Sequence, residues 1–353
     1  MDRLRIAIVG CGSIAEKHVR AITELKEEAK LAAICDIDAE RLEQFASGVC
    51  KAMYPEVQLY TTFAQLLSSD TADLVVIATS SGSHAALARQ AIRAGKHVLV
   101  EKPLALTMEE AQSVTAEAQV RNVVLAVSFQ ARYLPQMLAM KEAVQANKFG
   151  TLTHGNISMR WQRSIAYYKE APWREDWLKG GGLFMNQCIH YIDLLLWLMG
   201  PAATVYAQGG VFGQAIGVEN MGAAIVRFHN GAIGIIEASN GIYPYSIGTS
   251  IALFGDKGSA CIEGDRLNEV KRWVFHDENS GTRIPRTADS ISHIPLYRDL
   301  VQAIRTDKRP LTSADTSLAA TELVLAIYQS MATGKRIELP LKDFTMQEMA
   351  WMG

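Results

Sequence analysis

Two side chains in this sequence are placed to exchange protons with a substrate, Lys102 and His190. Lys102 stands in Glu101-Lys102-Pro103, directly after the apolar segment 97–100. We expect that segment to be a parallel strand, and ligands of α/β sheets bind at the carboxyl ends of such strands. A partly desolvated lysine there has a lowered pKa and can take a proton from a hydroxyl group. The alternative is an ordinary solvated loop lysine.

His190 lies in an apolar stretch that predicts a helix, opened by the triple glycine Gly180–Gly182. Asn186, His190 and Asp193 are spaced four and three residues apart, so they fall on one helix face. His190 either takes the hydroxyl proton or steers the hydroxyl group, while Asp193 fixes its tautomer. A histidine packed in the core is the alternative, and the stacked polar neighbours argue against it. The sequence does not decide which of Lys102 and His190 accepts the proton.

A glycine-rich turn, Gly10-Cys11-Gly12-Ser13-Ile14-Ala15, lies between the first predicted strand and the first predicted helix. It is the GxGxxA form of the dinucleotide-binding motif in the strand–turn–helix context that the motif requires. Gly10 permits the tight turn and Gly12 lets a pyrophosphate approach, while Ser13 and Ile14 stand at the helix N-terminus that faces the phosphates. The alternative is a tight turn without a ligand.

An acid follows the second predicted strand, as dinucleotide binding requires: Asp36 is placed to bond both adenosine ribose hydroxyls. Its carboxylate repels a 2′-phosphate, and neither Ile37 nor Asp38 supplies a cation to receive one. We therefore expect NAD rather than NADP. Arg41, a helical turn further on, is the residue that could partly rescue NADP binding.

The elements that must position these residues form two domains. From residue 1 to 127, short β-branched segments alternate with helical patterns, which predicts a parallel sheet in an α/β Rossmann domain. From 128 to 353, long strands are joined by hairpin signals at His229-Asn230-Gly231 and at Gly255–Gly258, which predicts an α+β domain with a large, mostly antiparallel open sheet. Ser313 is a predicted N-cap and Gly334 a predicted C-terminal stop of a late helix.

The composition excludes several classes of partner. The chain of 353 residues has 35 basic and 37 acidic side chains, with no run of like charge to follow a nucleic-acid backbone. The longest strongly apolar stretch, 194–199, is far below the ~20 residues of a membrane span. Five cysteines without a CxxC spacing predict reduced thiols in a cytoplasmic protein and no structural metal. We expect no nucleic acid, no membrane span and no metal ion.

The motifs resemble those of the Gfo/Idh/MocA family (glucose-fructose oxidoreductase and inositol dehydrogenase) over nearly the whole chain. The segments that carry the resemblance are Gly10–Ala15, Gly95–Pro103, Gln130-x-Arg132-Tyr133, the triple-glycine helix with His190 and Asp193, and Gly255-x-x-Gly258. The resemblance implies an NAD-dependent oxidoreductase that removes hydride from a secondary alcohol of a sugar. It also implies Lys102 as acid/base, His190 as its partner and Asp193 as the orienting residue, with a cis peptide bond often found at Pro103 and Glu101 near the nicotinamide ribose.

Further cofactor contacts are expected from this resemblance and from the loop after the fourth strand. They are Thr79, Ser80, His84 and Gln130. Related enzymes commonly pair through their sheet faces, so a homodimer or homotetramer is expected by analogy.

Substrate contacts are expected where arginines and aromatic rings cluster in the second domain, because bidentate donors and flat rings suit an anionic sugar. The predicted substrate residues are Arg160, Arg163, Tyr168, Trp173 and Arg174, with Asn186, His190 and Lys102. The segment resembles that of UDP-N-acetylglucosaminuronate 3-dehydrogenases, which act on a nucleotide-sugar. Three alternatives stay open. The arginines could instead pair with Glu170, Glu175 and Asp176 on a solvated loop. The substrate could be a free sugar, inositol or polyol, or the chain could be a catalytically silent NAD-binding regulator.

Overall fold

The structure is a computed structural model that describes residues 2–276, 284–288, 291–342 and 344–352. The chain divides into two compact units. Unit 1 comprises residues 1–130 and 292–318, and unit 2 comprises residues 131–291 and 319–353. The sequence predicted two domains with one boundary, between residues 127 and 128. The structure differs because residues 292–318, which that prediction assigned to the second domain, belong to unit 1.

Unit 1 is built on a six-stranded sheet whose neighbouring strands are all parallel, in the order β3-β2-β1-β4-β5-β6. Its strands are β1 (Leu4–Val9), β2 (Ala29–Cys35), β3 (Gln58–Tyr60), β4 (Leu74–Ile77), β5 (His97–Val100) and β6 (Leu125–Val127). Its first helices are α1 (Ala15–Glu24), α2 (Ala39–Phe45), α3 (Phe63–Ser68), α4 (His84–Arg93) and α5 (Met108–Val120). The predicted Rossmann architecture is confirmed.

The central strands of this sheet are buried on both faces, which is why they are continuous apolar segments rather than alternating ones. All four residues of β4 are buried, as are Ile6–Val9 of β1. Helix α1 packs on them through Ala15, Val19 and Ile22, which recur at helical spacing and are fully buried. The apolar pattern alone therefore determines where the carboxyl ends of β1 and β4 lie.

Unit 2 contains an eight-stranded sheet in the order β13-β12-β11-β7-β10-β9-β8-β14. Its strands are β7 (Leu152–Arg160), β8 (Ala202–Gly210), β9 (Met221–Phe228), β10 (Ile233–Ser239), β11 (Gly248–Gly255), β12 (Gly258–Glu263), β13 (Glu269–Phe275) and β14 (Ile337–Glu338). Strands β7 and β10 are parallel and all other neighbours are antiparallel. Both predicted hairpins, β9–β10 and β11–β12, are confirmed, as is the mostly antiparallel sheet.

The remaining helices of the described residues follow β6 in the chain. The helices are α6 (Pro135–Gln145), α7 (Ile165–Lys169), α8 (Ile189–Met199), α9 (Ile294–Thr306) and α10 (Ala314–Thr333). Short 3₁₀ turns cover Ser81–Ser83, Gln130–Tyr133, Pro172–Glu175 and Met346–Met352, and π turns cover Ala46–Cys50 and Phe184–Cys188. Helix α10 begins directly after Ser313 and stops before Gly334, whose φ is +65°, as its sequence predicts. None of the helices in the described part of the chain is long and apolar enough to cross a membrane.

Residues 292–318 return to unit 1 for a physical reason that is not visible in a local pattern. The Tyr297 hydroxyl of α9 lies 2.9 Å from Nδ1 of His18 in α1, and both side chains are fully buried. The Val127 amide donates to the Thr312 carbonyl, which extends the edge of β6. The first contact joins positions 279 residues apart and the second joins residues 127 and 312, so no local sequence pattern could indicate either of them.

Candidate active site

The glycine turn of unit 1 has the geometry that a dinucleotide phosphate requires. Gly10 has a φ of +96°, and a Cβ placed on it would stand 2.6 Å from the Ala78 carbonyl oxygen at the end of β4. A larger residue is therefore excluded both by the backbone conformation and by space. A Cβ on Gly12 would meet nothing within 4 Å, so the turn is open on the side where α1 begins. Ile14, the residue before α1, gives the helix start no side-chain cap, and helix N-termini bind phosphates.

Asp36 is tied to the glycine turn by a hydrogen bond. The Cys11 amide donates to Asp36 Oδ2 across 2.8 Å, and the Asp38 amide donates to Asp36 Oδ1 across 2.9 Å. Arg41 lies 3.8 Å from Asp36 Oδ2 and bonds Asp38 at 3.1 Å, so its positive charge is already paired with two acids. The arrangement fits a ribose diol and gives a 2′-phosphate no free cation from Arg41.

His84 joins the two loops that follow β4 and β5. Its Nδ1 lies 2.7 Å from the Pro103 carbonyl oxygen, and its Nε2 lies 3.0 Å from the Thr79 carbonyl oxygen. Burial lowers the pKa of the imidazole, against the two backbone oxygens that raise it. Thr79 and Ser80 are half-buried at this edge of the sheet, and the Thr79 and Ser83 hydroxyls lie 2.7 Å apart. His84 thus fixes the shape of the loops; its contact with a cofactor stays a prediction.

Glu101 is buried and held by two histidines of unit 1. Nε2 of His18 lies 3.2 Å and Nε2 of His293 lies 3.3 Å from Glu101 Oε1. Burial raises the pKa of Glu101, but hydrogen bonds from the two histidines outweigh it, so the pKa lies well below its usual value. The carboxylate is therefore fixed and ionised, one residue before the half-buried Lys102, whose peptide bond to Pro103 is cis.

The same three side chains are the group that could hold a metal ion within the described residues, since their ligand atoms all lie within 4.8 Å of one another. The contact of His293 with Glu101 has the geometry of a hydrogen bond, whereas Nε2 of His18 lies 3.2 Å from the same oxygen without the direction of one.

In unit 2, the predicted helix with the triple glycine has an unexpected local form. Phe184–Cys188 form a π turn, and α8 follows it from Ile189. Asn186 and Gln187 lie on the π turn and are buried, while His190 in the first turn of α8 is half-buried. Such single π turns are frequent at functional sites. The sequence predicted a regular α-helix here. An apolar pattern does not distinguish the hydrogen bonds of a π turn, which span five residues, from those of an α-helix, which span four.

Asp193 forms a buried ion pair with Arg132. Its two carboxylate oxygens accept from Arg132 Nε at 2.7 Å and from Nη2 at 2.5 Å, and both side chains are almost fully buried. This bidentate pair ties α8 to the Gln130–Tyr133 turn. The role of Asp193 in orienting His190 stays a prediction.

Polar side chains of unit 2 form a continuous network beside His190. Gln187 Nε2 donates to the Tyr167 hydroxyl at 2.9 Å, and Asn240 Nδ2 donates to Gln187 Oε1 at 3.2 Å and to the Tyr168 hydroxyl at 3.1 Å. Asn240 and Tyr168 are buried. The network fixes the π turn against α7 and the end of β10.

The arginines of this region divide into two kinds. Arg160 is paired with Glu237 by two hydrogen bonds of 2.6 and 2.8 Å. Arg174 stacks 4.0 Å from the ring centre of Tyr167, and Arg163 lies 4.8 Å from that of Trp161. Neither of these two guanidinium groups takes part in an ion pair between described residues, whereas Asp176 pairs with Lys179. Arg163 and Arg174 therefore keep positive charges that no acid of the described part of the chain neutralises. Trp173 is half-buried beside Arg174.

The predicted site residues consequently fall in two groups. Unit 1 holds Gly10, Gly12, Ser13, Ile14, Asp36, Thr79, Ser80, His84, Glu101, Lys102 and Gln130, and unit 2 holds Arg160, Arg163, Tyr168, Trp173, Arg174, Asn186, His190 and Asp193. Sequence reasoning missed the side chains that hold these residues in place: His18, His293, Tyr297, Arg132 as a pair for Asp193, Gln187, Glu219, Asn240 and Tyr328. Buried polar residues in apolar surroundings were the available signal, at His18 in α1 and at Tyr328 in α10.

Comparison with known proteins finds one family match in each unit. Residues 4–129 match the oxidoreductase family described as GFO_IDH_MocA with an NAD-binding Rossmann fold, and residues 137–261 match the GFO/IDH/MocA C-terminal domain. The crystal structure of the WlbA dehydrogenase from Bordetella pertussis, in complex with NADH and UDP-GlcNAcA, is similar with a TM-score of 0.89. It is 32% identical, and the match covers 97% of this chain and 100% of that one.

Two curated relatives match nearly the whole chain. The myo-inositol 2-dehydrogenase of Thermotoga maritima is 27% identical over 95% of this chain and 98% of its own length. The D-apiose dehydrogenase of Paraburkholderia graminis is 26% identical over 96% of this chain and 90% of its own length. Both relatives are named as dehydrogenases, one of an inositol and one of a sugar.

Proposed function

Since this chain belongs to the GFO/IDH/MocA oxidoreductase family, we propose that it oxidises a secondary alcohol of an anionic nucleotide-sugar, with NAD as hydride acceptor. The substrate class that the proposal names is a UDP-N-acetylhexuronate oxidised at C3. NAD is the cofactor of the Rossmann unit. The chain is thus an oxidoreductase by family, and the proposal concerns its substrate and its residue roles.

One observation carries the choice of an anionic nucleotide-sugar: the chain resembles, at 32% identity over nearly its full length, a dehydrogenase crystallised with UDP-GlcNAcA. The stacked pair Arg163 and Arg174 supports it independently. A guanidinium group that stacks on an aromatic ring and lacks an acid partner is suited to a carboxylate or a diphosphate. A neutral polyol would leave both charges without a counterion.

The residue roles follow from the chemistry of alcohol oxidation, in which a hydride leaves the carbinol carbon and a proton leaves its hydroxyl group. When bound, NAD supplies the nicotinamide carbon that accepts the hydride. We assign the hydroxyl proton to Lys102 Nζ, and we assign to His190 the hydrogen bond that steers the hydroxyl group. Glu101, which precedes Lys102 and is held ionised by His18 and His293, keeps that turn in a fixed conformation.

The remaining contacts are assigned by their surroundings. We assign the anionic groups of the substrate to Arg163 and Arg174, and hydroxyl or amide groups to Asn186 and to the Tyr168–Asn240–Gln187 network. Arg160 is already bonded to Glu237, so we assign it a part in the shape of the site and no ion pair with the substrate. Trp173 supplies a flat surface for the sugar or the base.

The direct experiment is NADH formation, followed by absorbance, when the purified protein and NAD meet a panel of alcohols. The panel contains UDP-N-acetylglucosaminuronate, UDP-N-acetylglucosamine as the control that keeps the diphosphate and lacks the sugar carboxylate, glucuronate, and myo-inositol. We expect the first to react, and UDP-N-acetylglucosamine to react about 10- to 100-fold more slowly, because one charge-assisted contact to the carboxylate is worth about 1.5–3 kcal/mol. A faster reaction with myo-inositol would favour the second candidate, a polyol dehydrogenase, which the similarity to the Thermotoga maritima enzyme supports. Tight NADH binding without any turnover would favour a regulator.

The assembly we propose is a homo-oligomer formed through the outer face of the unit 2 sheet. Tyr206, Ile225 and Ile235 lie in one row across β8, β9 and β10, since Tyr206 pairs with Ile225 and Ile225 with Ile235. Ile225 is 58% exposed and Ile235 47%. A second copy presents the same row, and such self-complementary faces are typical of symmetric dimers.

The compartment we propose is the cytoplasm. All five cysteines are free thiols in the structure, and four of them are buried. Unpaired cysteines persist in reducing compartments.

A further inference from the structure

A buried acid of unit 2, Glu219, has no part in the roles assigned above. It precedes β9 and is fully buried, as is Tyr328 of α10. The Tyr328 hydroxyl lies 2.7 Å from Glu219 Oε1 and 2.6 Å from the Gly181 carbonyl oxygen. The Met185 amide donates to the Tyr328 hydroxyl at 3.1 Å, and the Phe184 amide donates to Glu219 Oε1 at 3.0 Å. Glu219 and Tyr328 therefore contact residues 181–185, which directly precede the helix that carries His190.

A count of protons shows which form of Glu219 this arrangement needs. Two oxygen–oxygen contacts of hydrogen-bond length, Gly181 to Tyr328 and Tyr328 to Glu219, require two protons. The Gly181 carbonyl supplies none and the Tyr328 hydroxyl supplies one. The second proton belongs to Glu219, whose Oε1 donates to Tyr328 while Tyr328 donates to Gly181. An ionised Glu219 leaves one pair of oxygens in contact without a proton between them.

The electrostatic surroundings agree with a neutral acid. Among the described residues Glu219 has no ion-pair partner, and the titratable groups that face it are Tyr328, Cys188 and Tyr168, all uncharged at neutral pH. Burial raises the pKa of Glu219 to about 8, against the contact with Tyr328 and the hydrogen bonds from backbone amides, which lower it. A buried carboxyl without a cation keeps its proton because the charged form is poorly solvated.

The fit of Glu219 into the glycine turn is close. A Cβ on Gly182 would stand 2.1 Å from Glu219 Oε2, so the absence of a side chain at this position makes room for the acid. Gly182 also has a φ of +81°, which favours glycine. The triple glycine therefore has a structural partner in Glu219.

We propose that Glu219 acts as a neutral hydrogen-bond donor that positions the Gly180–Gly182 turn and the Phe184–Cys188 π turn, and thereby Gln187 and His190. The effect on substrate rests on the proposed function, whereas the protonation of Glu219 does not. Loss of this proton places a negative charge in a site without a cation and breaks the link between Tyr328 and the turn. The positioning is consequently expected to fail at alkaline pH.

The first test asks whether Glu219 carries a proton, using the full-length protein with no substrate. We expect infrared spectra at pH 7 to show the carbonyl band of a protonated carboxylic acid, and this band to be absent in Glu219→Gln and to disappear from the unmodified protein between pH 7 and pH 9. The matched control is Glu142→Gln, an exposed acid of α6, which should keep the band. Absence of the band at pH 7, or its persistence in Glu219→Gln, would overturn the proposal whatever the substrate proves to be.

The second test asks whether the acid positions the turn. Hydrogen exchange of peptides covering residues 181–190 should be faster in Tyr328→Phe than in the unmodified protein, and unchanged in Tyr245→Phe, whose ring is exposed. With the proposed nucleotide-sugar, the turnover of the unmodified protein relative to Glu219→Gln should fall about tenfold from pH 7 to pH 9, because about a tenth of Glu219 keeps its proton one unit above a pKa of about 8. Unchanged exchange in Tyr328→Phe, or a turnover ratio that is constant with pH, would contradict a positioning role. If the proposed nucleotide-sugar is not oxidised, the turnover ratio cannot be measured. The hydrogen-exchange comparison then tests the positioning role by itself.

Discussion

The Cys11 amide donates to Asp36 Oδ2 across 2.8 Å, so the glycine turn and the acid after β2 form one hydrogen-bonded unit. The bond fixes the carboxylate beside the turn before any cofactor arrives. The Asp38 amide also donates to Asp36, and Arg41 pairs with both acids. These three side chains therefore set the charge around the predicted ribose site. Cofactor selectivity is therefore a property that a single substitution can test.

Replacement of Asp36 should change the preference for NADH over NADPH. Asp36→Asn keeps the size of the side chain and removes its charge, so we expect NADH to bind about tenfold more weakly, as for the loss of a charged hydrogen bond, and NADPH to bind more tightly. Fluorescence titration with both cofactors measures the ratio. Glu43→Gln, at an exposed acid further along α2, is the control and should leave the preference unchanged. A preference that stays the same in Asp36→Asn would exclude Asp36 as the selecting residue.

Replacement of Lys102 should separate chemistry from cofactor binding. In Lys102→Met we expect kcat to fall by about 10²–10⁴-fold, the usual contribution of a general acid or base, while NADH affinity changes little. Lys51→Met, an exposed lysine, serves as the matched control. Turnover that survives in Lys102→Met would transfer the proton-accepting role to another group, with His190 the first to examine.

The Arg132–Asp193 pair should matter for stability more than for catalysis. Asp193→Asn leaves a buried guanidinium group without its counterion, so the free energy of unfolding should fall by about 3–5 kcal/mol. Urea unfolding measures the loss of stability. The effect on catalysis is measured as kcat at a temperature where the variant stays folded. Full stability combined with a shifted pH optimum of kcat would instead favour Asp193 as the residue that orients His190.

The cluster of His18, Glu101 and His293 should make unit 1 sensitive to acid. Burial lowers the pKa of His18, against the contact with the acceptor Glu101 that raises it, and the pKa of Glu101 is also low in the folded chain. The unfolded chain thus binds more protons at both groups, so the free energy of unfolding should decrease as the pH falls below about 6.5, the ordinary pKa of histidine. Thermal unfolding between pH 7.5 and pH 5 tests this. His18→Gln should flatten the upper part of that curve, and an equally steep curve would exclude His18 as its source.

Assembly through the sheet face should be sensitive to charge. Ile225→Lys places an amine in the middle of the row with Tyr206 and Ile235, so light scattering should show a smaller particle than for the unmodified protein. Val120→Lys, at an exposed position of α5, is the control and should leave the mass unchanged. A mass that is the same for Ile225→Lys would place the interface elsewhere.

The features that the sequence predicted correctly are those encoded in neighbouring residues. The glycine turn, Asp36 and the Lys102-Pro103 turn each follow a short apolar strand, so a local pattern determines both the element and the position of the side chain. The hairpins at Asn230 and at 255–258 were predictable for the same reason.

The features that the sequence did not predict depend on distant partners or on polar strands. His293 reaches Glu101 over 192 positions, and Glu219 reaches Tyr328 over 109, so no window of residues contains both members of either pair. Strand β13 was missed because it lies at the edge of the sheet, where four of its seven residues are exposed and three are charged. The π turn at Phe184–Cys188 was missed because its residues are apolar enough for a regular helix.

The return of residues 292–318 to unit 1 has a practical consequence for anyone who divides this protein. A fragment that stops at residue 130 would contain the complete parallel sheet and yet lack Tyr297 and His293, leaving His18 and Glu101 with bare polar atoms in a hydrophobic interior. Chimaeras that exchange cofactor domains between relatives must therefore transplant two stretches of chain together, and a graft of the N-terminal stretch alone should misfold or aggregate.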